Sequence, residues 1–352
     1  MRKKKWLLIL MAVLLLTGCG TSGDNIIETR NPEQTAASAE DTTEVRLTVA
    51  TSGSWENVSR GRLFDKYSKE LVEWSNGDMV IQLYDDSVLG DDLQILEGVR
   101  SGTLNIINCV PSYLAPAVPE AALLDIPAMF SGIDEFNQLM DSGYFEVMQN
   151  YFSQNGLQLL SCRAFDMRQM TSNVPVREPA DLVGLKLRTM ETEYHVEFWN
   201  AMGAISMPMA FNQVKVSLQL GSIEAQENPL YYLESIQLNE VQDYVILTNH
   251  LPMISCFVMN KEQWDALTSE QQDLVQRFMD EMMEELVEET RKENEAIIED
   301  AESELGVEVL EVSDSLRQKL DEANSVVIEM LREKLGSEKV NQYLAAIQEI
   351  RE

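Results

Sequence analysis

From Val45 onward the chain alternates between apolar residues spaced two apart and apolar residues spaced three to four apart, and it does so in two successive runs. Val45, Leu47 and Val49 alternate with Arg46 and Thr48, which predicts a strand. Leu63, Phe64, Tyr67, Leu71 and Trp74 then fall on one helical face, which Gly77 closes. Met79–Tyr84 reads as a second strand, Asp91 as the cap of a helix through Leu93, Leu96 and Val99, and residues 104–109 as a third strand. Strand, helix, strand, helix, strand calls for a parallel sheet with crossover helices, hence an α/β class. A stretch punctuated by Pro111, Pro116, Pro119 and Pro127 follows, with helices around Phe136 and over 144–154. A second run then begins: strand 157–164, strand 185–188, helix 193–202 ending at Gly203, strand 205–207, helix 212–220 ending at Gly221, and strand 223–227. Two such units of about a hundred residues each predict two similar lobes rather than one large sheet.

Residues 269–305 contain neither Gly nor Pro and place Leu274, Phe278, Met282, Leu286 and Ile298 at helical spacing. A helix of that length covers about 54 Å, enough to bridge both lobes. A last strand over 306–310 and closing helices over 314–352 complete the chain, and no repeat of 20–50 residues suggests a solenoid.

The N-terminus is of another kind. Arg2 and Lys3 to Lys5 precede eleven apolar residues, 6–16, and then Thr17-Gly18-Cys19. This is the layout of an export signal, and at about 16 Å of helix its apolar part is too short to span a bilayer. Residues 20–43 are dominated by Thr, Ser, Glu, Ala, Asp and Asn without apolar periodicity, which predicts a flexible tether with a reach of about 27 Å.

With 59 acidic and 27 basic side chains the formal charge is −32, and loss of residues 1–18 removes four further cations. Nucleic acid and anionic headgroups are repelled by such a surface, which leaves small solutes and other proteins as partners. Cys109, Cys162 and Cys256 each sit in an apolar run, which favours buried free thiols over one disulfide and a leftover.

Enzyme motifs are scarce. There is no Gly-x-Ser-x-Gly, Gly-x-Gly-x-x-Gly, Walker loop or His-Glu-x-x-His, and the only histidines are His195 and His250. No metal or cofactor is called for: the acidic segment from Asp85 to Asp92 lacks EF-hand spacing and reads as a solvated turn and helix cap. Arginine placement is more informative. Arg168 lies in Asp166-Met-Arg168-Gln-Met, and Arg188 closes a strand at the end where open α/β sheets bind ligands. In an acidic chain the long-range field does nothing for an anion, so a planar guanidinium fork must hold a carboxylate locally. Asn228, before Pro229, has an amide to donate at the same sheet edge. Phe211 precedes a helix start at Asn212 whose N-terminus faces an anion in this reading, and His250 ends a strand.

Taken together, Ser87-Val-Leu-Gly-Asp-Asp92 with Gly102-Thr-Leu-Asn, Arg168-Gln-Met-Thr-Ser-Asn173, Leu182-Val-Gly-Leu-Lys-Leu-Arg188, Pro208-Met-Ala-Phe-Asn-Gln-Val214 and Gln226-Glu-Asn-Pro229 with Thr248-Asn-His250 resemble the DctP-type substrate-binding proteins of tripartite ATP-independent periplasmic (TRAP) transporters. Leu16-Thr-Gly-Cys19 resembles a bacterial lipobox, with Cys19 as the acylated residue after cleavage of residues 1–18. The resemblance implies a two-lobed periplasmic-binding-protein-like fold with a hinge, lobe I over 44–165 plus about 254–293 and lobe II over 166–253 plus about 294–352. It implies a lipid-anchored, extracytoplasmic receptor, on the periplasmic side or a Gram-positive surface, that passes a small organic acid to a TRAP permease and is not an enzyme. Arg188 takes the ligand carboxylate in this reading, Arg168 and Asn228 assist, Phe211 lines the pocket, and His250 and Trp55 stand near it. A lipid-anchored hydrolase with paired carboxylates and a surface or sensor protein without a transport role are the readings from other classes.

Overall fold

The computed structural model describes residues 44–352; the leader, Cys19 and the tether lie outside them. Nine strands form one sheet: β1 (Val45–Ala50), β2 (Met79–Tyr84), β3 (Ile106–Cys109), β4 (Leu157–Ser172), β5 (Lys186–Thr189), β6 (Ile205–Pro208), β7 (Ala225–Asn228), β8 (Tyr244–Asn260) and β9 (Glu308–Glu311). Their order is β2-β1-β3-β8-β4-β7-β5-β6, with β9 beside β8. The parallel sets are those the strand-helix alternation calls for: β2-β1-β3 in the first half, β7-β5-β6 in the second.

The expectation of two separate sheets needs correcting. β4 and β8, 16 and 17 residues long, pair antiparallel from Leu157↔Asn260 to Ser172↔Tyr244 and serve both halves, so the sheet is mixed and continuous. The ladder slips at Ala164/Asp166 and again at Arg168/Met170. Bulges of this kind bend a strand and redirect side chains, and these two bracket the stretch that carries Asp166 and Arg168.

Helix α1 (Ser59–Trp74) buries Arg60, Leu63, Phe64, Tyr67 and Leu71 on one face. Gly61 lets its first turn approach the chain closely, since a Cβ there would lie 2.1 Å from the Trp55 carbonyl oxygen. Helix α2 (Asp92–Arg100) starts at a reciprocal cap, Asp91 accepting from Gln94 N–H while the Gln94 side chain accepts from Asp91 N–H.

The long helix runs Ser269–Asp300, ending before the expected Leu305 in a turn, and is capped by Thr268 and Gln271. Its Phe278 ring meets Phe64 at 5.3 Å, and farther along Asn294 donates to Asp166 Oδ1 at 2.6 Å. It therefore runs from the α1 layer to the point where β4 passes between the halves. Each buried Phe or Leu in this layer contributes about 1.5–3 kcal/mol. None of the helices among the described residues is long and apolar enough to cross a membrane.

One expected element is shorter than its reading. In place of a helix over 212–220, Phe211–Gln213 forms a 3₁₀ turn and only Val214–Gln219 is α-helical. Aligned peptide dipoles sum along a helix, and six residues with a 3₁₀ entry present little of that field to an anion. Holding a negative charge then falls to side chains.

Candidate functional site

Between the two halves lies a cavity with about 460 Å³ of empty space, open solvent at its mouth included. Arg168 from β4, Arg188 from β5, Asn228 from β7 and Phe211 line it together. From the first half come Ser52 and Gly53 after β1, Arg60 of α1, Asp92 of α2 and Tyr113 after β3. A Cβ on Gly53 would lie 2.8 Å from Tyr232 Oη, so the walls approach closely there. Trp55 and His250 are not brought to the cavity surface; both are buried behind it.

Arg188 is 1% exposed. Nε and Nη2 donate to the Met209 carbonyl oxygen at 3.0 and 2.8 Å, which fixes the plane of the group. That leaves the Nη1 side of the fork without a protein acceptor, and among the described residues no carboxylate pairs with Arg188. A guanidinium oriented by a neutral carbonyl and lacking a counter-ion is a receptor for a planar anion.

Arg168 is placed differently. Nε and Nη2 donate to the two Glu227 carboxylate oxygens at 2.5 and 2.9 Å, and Nη2 also reaches the Glu227 carbonyl oxygen at 2.7 Å. Both residues are essentially inaccessible to solvent. Burial alone would raise the Glu227 pKa, but the Arg168 charge and the bonds from His250 and Arg168 outweigh it and hold the carboxyl well below the usual range. His250 joins this network through Nε2, 3.1 Å from Glu227 Oε2, and through Nδ1, 2.9 Å from Thr248 Oγ1. Its imidazole packs against Phe198 and Trp199, and burial holds its pKa below the ordinary value, so it is a neutral buttress for Glu227. Asn228 donates one amide proton to Gln226 Oε1 at 2.6 Å, and Gln226 in turn donates to Thr171. The Phe211 ring leans on Tyr232 at 4.7 Å.

Two wall residues escape a sequence reading built on strand ends. Arg60 lies between the rings of Trp55 and Phe165, which is the role the fold finds for Trp55. Asp92 accepts from Ser52 Oγ at 2.6 Å, and burial pushes its carboxyl up to about 6 against the lowering effects of Ser52 and Arg188. Each sits on the buried stripe of its helix: Arg60 with Leu63, Phe64 and Tyr67, and Asp92 with Ile95, Leu96 and Val99. A charge at i before apolar residues at i+3, i+4 and i+7 was the available signal.

The three cysteines among the described residues are free and buried, with Cys162 Sγ 3.2 Å from Cys256 Sγ across β4 and β8.

Comparison with known proteins places this geometry. Residues 51–334 match the family described as bacterial extracellular solute-binding protein, family 7. A solute-binding protein of Verminephrobacter eiseniae is 31% identical over 69% of this chain and 71% of its own length. The 2,3-diketo-L-gulonate-binding periplasmic protein YiaO of Escherichia coli is 32% identical over 60% of this chain and 65% of its own. A TRAP periplasmic solute-binding protein from Shewanella oneidensis, solved with bound succinate, superposes with a TM-score of 0.78 at 23% identity, covering 86% of this chain and 99% of that one. The chain belongs to family 7 of the bacterial extracellular solute-binding proteins, the receptors of TRAP transporters rather than enzymes.

Proposed function

We propose that this chain is the lipid-anchored receptor of a TRAP transporter, which captures a small organic acid in the cleft and delivers it to a membrane permease. The observation that carries the reading is Arg188, a fully buried guanidinium, oriented by the Met209 carbonyl and without a carboxylate partner among the described residues. A buried charge left unpaired is costly, and a ligand carboxylate at the free Nη1 edge offsets that cost. Arg168, neutralised by Glu227, has its Nη1 toward Met253 Sδ at 3.2 Å and lends a single donor at most, while Asn228 adds an amide and Phe211 an apolar wall. Binding of 2,3-diketogulonate and of succinate by relatives of this fold supports the ligand class.

In this reading lobe I is 44–165 plus about 254–293 and lobe II is 166–253 plus about 294–352. Closure about β4 and β8 brings Arg188 of one lobe over the Arg60–Asp92 wall of the other. Residues 1–18 are the leader and Cys19 the acylated residue, holding the domain outside the cell on its tether. The direct test is a thermal-shift screen of purified protein against carboxylates, uronic and aldonic acids and neutral sugars, followed by calorimetry. One-to-one binding of an acid without turnover supports the reading; binding of neutral sugars alone contradicts it. For the anchor, Cys19→Ala is expected to release the protein from membranes or block its processing, and a processed mutant still retained on membranes contradicts that part.

A further inference from the structure

The long helix and β4 meet at Asp166 and Asn294. Asp166 is 5% exposed, and its Oδ1 accepts from Met167 N–H at 2.7 Å and from Asn294 Nδ2–H at 2.6 Å. Carboxyl and amide therefore already share one hydrogen bond. Their other oxygens, Asp166 Oδ2 and Asn294 Oδ1, are both enclosed, present no surface to solvent and have no donor. Both are acceptors when Asp166 is ionised, and two buried acceptors without a hydrogen between them are unfavourable. A proton on Oδ2 removes the conflict without needing any space. Asp166 then donates to Asn294 Oδ1 while Asn294 donates to Asp166 Oδ1, and the two groups close into an acid–amide ring.

No nearby cation takes the place of that proton. Arg168, two residues along β4, is held by Glu227, and Arg60, over the Phe165 ring, is held by Asn108 and Ser255. The helix brings Glu293 beside Asn294, and Arg291, Glu295 and Glu299 along the adjoining groove; Tyr231 faces Asp166, and β8 brings Met253 and Asn249, both uncharged. Burial and Glu293 favour the neutral carboxyl against its two hydrogen bonds and the Arg168 charge. The position gives the pair a role. Glu293 accepts from Ser59 N–H at 3.3 Å and from Ser59 Oγ–H at 3.0 Å, so successive residues of the helix fasten it to the first turn of α1 and to β4, which carry Arg60 and Arg168 to the cavity. Beyond Leu286 the helix buries only Thr290 and Ile297, so little apolar packing holds this end. We propose that Asp166 and Asn294 form a proton-operated latch: protonated, the pair clasps the end of the long helix to the crossing strand, and loss of the proton to water lets that end part from β4. The adjoining groove, lined by Phe165, Asp166 and Met167 on one side and Arg291, Asn294 and Ile298 on the other, then admits water to the carboxylate. The latch sets how firmly the cavity wall is held, whatever acid the cavity takes.

The carboxyl titrates at about 7 when latched and near pH 4 when released. The latch is therefore firmest below about pH 4, loosens by about tenfold per pH unit from there to pH 7, and changes no further above it. The test is hydrogen–deuterium exchange of the purified protein without ligand, read by mass spectrometry at pH 5 and pH 7 and corrected for the intrinsic pH dependence of amide exchange. Peptides over 287–300 of the wild type are expected to lose about 50-fold in protection between these values, while 269–283, where Phe278 packs on Phe64, changes less than about threefold. Asp166→Asn replaces the acid–amide ring with an amide pair that has no proton to lose, and is expected to keep the high protection at both values. Glu293→Gln is expected to retain the wild-type pH dependence, which separates Asp166 from its acidic neighbour. A flat wild-type profile over 287–300 overturns the latch without recourse to any variant. Undiminished pH dependence in a folded Asp166→Asn, or its loss in Glu293→Gln, also overturns it, and thermal unfolding identifies a variant whose fold is damaged.

Discussion

Glu227→Gln removes one charge from a pair that solvent does not reach, since Arg168 and Glu227 are 2% and 0% exposed. Arg168 makes three bonds to this residue, at 2.5, 2.9 and 2.7 Å, two of them to the carboxylate, and His250 makes a fourth contact at 3.1 Å. The glutamine still accepts one bond, but the guanidinium is left as an uncompensated buried cation in a cavity wall that already contains Arg188 without a carboxylate partner. Breaking such a pair from one side costs about 3–5 kcal/mol. Against a total stability of about 5–15 kcal/mol this is a large fraction, and for a chain of this size it lowers Tm by about 5–8 °C. Arg168→Met, which strands the carboxylate instead, is expected to cost as much. Urea unfolding at pH 7 of both single variants and the double variant closes a mutant cycle. The double variant is expected to be more stable than the sum of the single losses by about 2 kcal/mol or more, because it strands no charge. Single variants within about 0.5 kcal/mol of wild type, or strict additivity, would refute the argument that Arg168 is spoken for by Glu227.

Asp166 is buried, and burial pushes its carboxyl up to about 7 against the bonds from Met167 N–H and Asn294. A raised carboxyl pKa means that the unfolded chain releases this proton first as pH rises. Its contribution is therefore complete below about pH 4 and is lost between about pH 4 and pH 7, and unfolding midpoints of Asp166→Asn across that window should lack the wild-type slope. Asp92, raised to about 6, lines the same cavity as Arg188, so binding of an anion there is expected to take up a proton and tighten as pH falls from 8 to 6. Calorimetry in buffers of different ionisation enthalpy counts that proton, and Asp92→Asn should abolish its uptake. Gly61→Ala places a Cβ against the Trp55 carbonyl oxygen, a backbone atom that cannot rotate away, and is expected to cost about 1–3 kcal/mol in unfolding experiments.

Where the chain follows a simple period its structure was legible: β2 runs over Met79–Tyr84 and α1 buries Leu63, Phe64, Tyr67 and Leu71, as the spacing indicates. β4 and β8 were read as less than their full length because Asp166, Arg168 and Gln169 in one, and Thr248, Asn249 and His250 in the other, interrupt the apolar pattern. Most of those polar residues are buried, because the strands cross from one half to the other beneath the cavity. Arg188 was placed by its position at a strand end, but the partner of Arg168 was not, since Glu227 lies 59 residues away and one acid among 59 carries no mark of pairing. Asp92 was hidden in the same way, read with its neighbour Asp91 as part of a solvated cap although only Asp91 caps the helix.

The central claim is that Arg188 holds the carboxylate of the transported acid inside a closed, water-poor cleft. Calorimetric titration of Arg188→Gln with whichever acid saturates the wild type tests it most directly. Affinity is expected to fall by a factor of hundreds to thousands, the equivalent of about 3–5 kcal/mol. Unfolding of the ligand-free variant is expected to stay within about 1 kcal/mol of wild type, since among the described residues no carboxylate is hydrogen-bonded to this guanidinium. Undiminished affinity in the folded variant would contradict the assignment, and collapse of the ligand-free fold would point instead to a structural arginine.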